Sequence, residues 1–192
     1  MSKNWDCECD PCCPHDDNCK DNVAEGQCCC QEGIFEALRF LRNQDAEIVI
    51  RGFRPGNPGI LGEGRIVELN RDIVILDGDP ERVISLCAIF QIRVDADELP
   101  DGLNNAACGN TDTNCCCNRG LRRRLRDRLG EEVVINLDDA NANLNDTIGV
   151  VRLVCDDLVW IQQCVGAQNP PQCNGDFVAI PLCRIAWFEP VI

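Results

Sequence analysis

Apolar residues Ile34, Phe35, Leu38 and Leu41 recur at spacings of three and four, so one helical face carries them and a short amphipathic helix is predicted over 33–43. Beyond it the period changes. Short β-branched runs divided by turn residues predict strands over 46–53, 60–69, 72–76, 82–86 and 88–94. Asp77-Gly78-Asp79-Pro80 is a strong turn signal between two of them. Leu121, Leu125 and Leu129 repeat the helical spacing farther along, and runs of the same kind follow.

The second set of runs is a copy of the first. Cys28-Cys29-Cys30, Gly33-Ile34 and Leu38-Arg39 return as Cys115-Cys116-Cys117, Gly120-Leu121 and Leu125-Arg126. Glu47-Ile48-Val49-Ile50 returns as Glu132-Val133-Val134-Ile135, and Gly64-Arg65-Ile66 through Asp72-Ile73-Val74 as Gly149-Val150-Val151 through Asp157-Leu158-Val159. Ile84-Ser85-Leu86-Cys87-Ala88-Ile89 returns as Ile180-Pro181-Leu182-Cys183-Arg184-Ile185. Matched blocks in one order, with insertions only between them, mark a tandem duplication. Its units are 28–95 and 115–192, and the polar, Asn-, Asp- and Gly-rich stretch 96–114 fits a linker. Residues 1–27 hold almost no aliphatic side chains and cannot bury a core, so they read as a cysteine-rich N-terminal connector. The expected fold is mainly β: two tandem small, bent, five-stranded barrels, each with a short N-terminal helix.

The run from Leu121-Arg122-Arg123-Arg124-Leu125 into Gly130-Glu131-Glu132-Val133-Val134-Ile135, then Gly149 to Val159, resembles the Sm-like fold. That resemblance implies rings and RNA binding, but the RNA-binding signature departs here. Asp72-Ile73-Val74-Ile75 and Asp157-Leu158-Val159-Trp160 lack the family's asparagine, and Leu86-Cys87 and Leu182-Cys183 replace its Arg-Gly pair. Fold alone is therefore carried over. The strand blocks, closed by Ile180 to Phe188, are also similar to repeats of spore coat proteins in endospore-forming bacteria, and the cysteine-rich start is similar to connector tails of coat and spore-appendage subunits. This resemblance implies a structural subunit that assembles with itself, and with other coat or appendage proteins, and is then cross-linked.

Charge narrows the partners. With 18 basic and 32 acidic side chains the formal net charge is −14, which disfavours nucleic acid and anionic membrane surfaces. No apolar run approaches the length of a membrane span. Met1 to Asp6 lacks the basic start and apolar stretch of a secretory signal. The expected location, given the resemblance, is the spore surface or an extracellular fibre, reached after synthesis in a mother cell without export.

Of 17 cysteines, Cys7, Cys9, Cys12, Cys13, Cys19, Cys28, Cys29 and Cys30 crowd the first thirty residues. Together with Cys108, Cys115, Cys116, Cys117, Cys164 and Cys173 they are candidates for disulfide cross-linking between subunits. Neighbouring cysteines bond poorly to each other and so reach outward, and an odd total leaves one without an internal mate. Cys164 and Cys173 flank the longest insertion of the second unit and make the best local pair. Metal is the alternative for the tail: Cys7, Cys9, Cys12, His15 and Cys19 offer soft ligands for zinc, though at irregular spacing. A cytosolic metal- or redox-responsive binding module is thus the rival function. Cys87 and Cys183, matched inside apolar strands, read first as small buried hydrophobes and second as bridges to a triplet.

Catalysis has little to build on. His15 is the sole histidine and sits in the tail, while Asp138-Asp139 and Asp156-Asp157 fall at predicted turns, so no catalytic residue is assigned. Arg119, Arg122, Arg123, Arg124, Arg126 and Arg128 make one basic helix in an acidic chain. Arg122, Arg123 and Arg126 are the expected assembly surface, docking an acidic segment of a neighbouring subunit.

Overall fold

A computed structural model describes residues 29–54, 57–78, 81–99, 102–108, 119–137, 147–164, 173 and 175–191. The first half opens with helix α1 (Cys29–Asn43) and continues through β1 (Ile48–Arg54), β2 (Asn57–Gly64), β3 (Ile66–Leu69), β4 (Ile73–Leu76), β5 (Arg82–Ser85) and β6 (Ile89–Val94). The second half is helix α2 (Arg119–Arg126), then β7 (Glu132–Leu137), β8 (Thr147–Val154), β9 (Leu158–Gln163), β10 (Phe177–Pro181) and β11 (Ile185–Pro190). The protein is mainly β. Its strands form an antiparallel eight-stranded sheet, ordered β11-β7-β8-β9-β10-β6-β1-β2, and a three-stranded sheet, β3-β4-β5.

The duplication extends to backbone register. Ile48 faces Gly64 and Val94, while its counterpart Val133 faces Gly149 and Pro190. Val74 opposite Ile84 becomes Val159 opposite Ile180. Loop bonds repeat as well: the Leu86 N–H donates to the Asp72 carbonyl at 2.9 Å, and the Leu182 N–H to the Asp157 carbonyl at 2.8 Å. Since a one-residue slip would turn every side chain to the other face, such agreement means that both halves solve the same packing problem.

Several elements differ from the sequence expectation. One predicted strand, 60–69, is two, because the chain turns a corner at Gly64 and Arg65. Gly64 has φ +135°, a conformation that favours glycine, and the Asp77 carboxylate accepts the Arg65 N–H at 2.6 Å. The corner folds the sheet over itself, bringing Gly62 of β2 over Leu76 and Ile84. The predicted strands 82–86 and 88–94 are separated by a 3-10 turn, Leu86–Ala88, repeated at Leu182–Arg184. Helix α2 ends at Arg126, so Leu129 falls in the following turn and is exposed, while Leu125 is buried.

Two cores result. The second half packs Leu125, Val133, Ile135, Val151, Val159, Ile161 and Ile180 among themselves. The larger core is shared: Ile34, Leu38, Phe40 and Leu41 of α1 join Leu158, Trp160 and Ala179 from the second half. The Phe40 and Trp160 rings meet edge-on, their centroids 6.5 Å apart. Leu99 and Ala107, from the stretch read as a polar linker, are buried in that same core.

Candidate functional site

The chemistry of the described residues is that of sulfur, charge and unpaired strand edges. Cys164 and Cys173 are bonded, as the sequence spacing suggested. Cys108 pairs with Cys155, a partner the sequence did not single out, and so closes a link within the chain where a cross-link between subunits was expected. The bond fixes the 3-10 turn Asn105–Cys108 to the loop between β8 and β9. Cys87 and Cys183 correct the first reading more sharply. Both are disulfide-bonded and only half-buried. The 3-10 turn explains it, because Leu86 and Leu182 fill the core and leave the following cysteine aimed elsewhere. Cys29 and Cys30 lie at the start of α1, whereas the other candidates, Cys7, Cys9, Cys12, Cys13, Cys19, Cys28, Cys115, Cys116 and Cys117, lie outside the described residues.

The same holds for the whole zinc alternative, Cys7, Cys9, Cys12, His15 and Cys19. One other grouping, Glu132 with Cys164 and Cys173, brings its ligand atoms within 4.8 Å of one another. Its two sulfurs are bonded to each other, however, and metal binding needs thiolates.

Of the arginines read as a docking surface, two are engaged by their own chain. Arg122 donates to Asp156, and Arg126 lies 3.5 Å from the same carboxylate. Arg123 is exposed, as is Arg124. A cavity of about 410 Å³ lies beside them, lined by Arg124, Asp127, Arg128, Phe188 and Pro190, with Arg128 held by Glu131 at 2.7 Å. Its lining offers charge and an apolar wall but no nucleophile.

The joint between the halves has a polarity of its own. β6 pairs with β10, setting Phe177 opposite Val94, Val178 opposite Arg93 and Ala179 opposite Ile92. Arg93 reaches Asp176 at 3.2 Å, and the buried Gln91 side chain donates to Thr147 at 3.3 Å. Arg184 donates to the Cys87 carbonyl at 3.2 Å. A second tie runs through Asp157. Its carboxylate is fully buried and accepts the Gly33 N–H at 2.7 Å, anchoring α1 of the first half on the second. A side chain at Gly33 would collide with that carboxylate. Burial pushes the Asp157 carboxyl up from 3.8 to about 7, while the Gly33 hydrogen bond pulls the other way. Sequence does not mark this role, because Asp72 opens the matching block of the first repeat and yet is exposed.

No family model matches the chain, and no curated protein or solved structure shows a significant match to it.

Proposed function

We propose that the chain is a structural subunit that assembles with itself into a spore coat, spore appendage or comparable extracellular fibre, and that disulfides between subunits then lock the assembly. It acts by being built in and catalyses nothing. The observation that carries this reading is the state of the sulfur: each of the six cysteines whose side chains are described, Cys87, Cys108, Cys155, Cys164, Cys173 and Cys183, is in a disulfide. Bonds of that kind persist in oxidising surroundings. The odd total of 17 leaves at least one cysteine with no mate inside the chain, and that sulfur is open to a partner subunit. Each half, a helix followed by strands that bend until the last lies beside the first, supports reading the units as Sm-like barrels used as scaffolding.

Electrophoresis of native material without reductant tests the reading. Ladders that collapse to monomer on reduction are expected. Monomer alone, together with stoichiometric zinc in protein purified anaerobically, would replace it with the metal-binding module.

A further inference from the structure

Four strands of the described sheets are paired on one side only: β2 and β3, which follow one another through the corner at Gly64 and Arg65, and β5 and β11. β5 ends the three-stranded sheet and β11 ends the eight-stranded one. Both present apolar side chains to solvent: Val83 is 62% exposed and Trp187 is 44% exposed. Their repeat counterparts are already joined inside the molecule. β10 is the counterpart of β5, β6 is the counterpart of β11, and β6 and β10 form the antiparallel joint between the halves. One joint is thus complete within each chain, and the two sides of a second stand open.

The matched blocks fix which residues correspond. Arg82 takes the place of Val178 and Val83 that of Ala179, while Glu189 takes the place of Arg93 and Phe188 that of Ile92. The register of the internal joint, applied to two copies, sets Arg82 of one directly opposite Glu189 of the next. Val83 then faces Phe188, and Pro190, which has no N–H to donate, falls opposite Glu81 at the end of the ladder. The opposite charges are not inherited from the internal joint, where the same positions hold Val178 and Arg93. They belong to the open edges alone. Directly opposed unlike charges favour pairing, and like charges oppose it.

We propose that β5 of one copy pairs antiparallel with β11 of a second copy, Arg82 against Glu189 and Val83 against Phe188, joining copies head to tail. The contact rests on the reading that the chain assembles with itself, and it gives that assembly its address. It is heterologous, so it builds a ring if the rotation closes and a filament if it does not.

Two full-length variants, Arg82→Glu and Glu189→Arg, test it by sedimentation velocity and electron microscopy on oxidised protein. Alone, each variant sets like charges across the joint, and the concentration needed for assembly should rise by roughly tenfold or more. Mixed in equal amounts, the two restore an unlike pair at every joint if copies alternate, and assembly should return to the wild-type range. That recovery cannot come from chains that failed to fold. The contact is overturned if either variant assembles as wild type does, or if the mixture stays unassembled while both variants keep the wild-type circular dichroism spectrum. Wild-type ladders that persist in either case would leave the self-assembly reading standing and discard only this contact. A wild-type chain that never assembles would remove both.

Discussion

Asp157 is a turn residue in the sequence and a structural anchor in the fold. Its carboxyl, raised to about 7 by burial, is neutral in the folded protein across a range where the unfolded chain, at 3.8, is ionised. The folded state therefore binds the extra proton in that window. The contribution to stability is complete below the unfolded value and is lost as pH rises toward 7. The span is worth on the order of 4 kcal/mol at most. Asp157→Asn keeps an acceptor for the Gly33 N–H and cannot ionise. Its melting temperature should fall less than the wild type's between pH 4 and pH 7, and should exceed it at pH 8. Thermal melts across that range check this, and parallel curves for the two proteins would refute it. Nothing in the sequence distinguished Asp157 from Asp72, because each opens the same strand block. What differs is the residue that comes to rest on it, Gly33, 124 positions away. Turn chemistry is local and was legible, but burial by a distant helix was not.

Elements are legible in the sequence where a period governs them. The apolar face of α1 and the order of β-branched runs followed from spacing, and so did the repetition of both. The corner at Gly64 escaped because its signal lies in a partner strand, in the Asp77 carboxylate, and not in the run itself. The 3-10 turns at Leu86 and Leu182 escaped because their sequences are as apolar as the strands around them, and this in turn misplaced Cys87 and Cys183. Loop length ranks the two described bridges. Cys108–Cys155 spans 47 positions and Cys164–Cys173 spans 9, so chain entropy assigns them about 4 and about 2.5 kcal/mol respectively. Replacing both members of each pair by alanine, with stability read from urea unfolding, should show the larger loss at Cys108 and Cys155. Equal losses would mean that the segment 102–108 is held by the burial of Ala107 and not by the bond.

At the scale of the molecule the halves are alike in register and unequal in dependence. The second half owns a complete core, whereas the first half borrows Trp160, Leu158 and Ala179 to cover α1. Trp160→Ala should cost about 3–5 kcal/mol and should be felt across the joint. Amide hydrogen exchange at Ala37 to Leu41 should accelerate, though these residues lie in the other repeat. Exchange that speeds up only within β9 and its neighbours would contradict a shared core. The matched blocks disclose two units but not this asymmetry, since correspondence between copies does not determine which side chains cross between them. The borrowing also has a consequence in time. At about 5–20 residues per second, the ribosome adds Asp157 and Trp160 roughly 6–25 seconds after α1 has been made. Through that interval the helix that opens the fold lacks Leu158 and Trp160, so the first repeat to be translated cannot close its core until most of the second has been made.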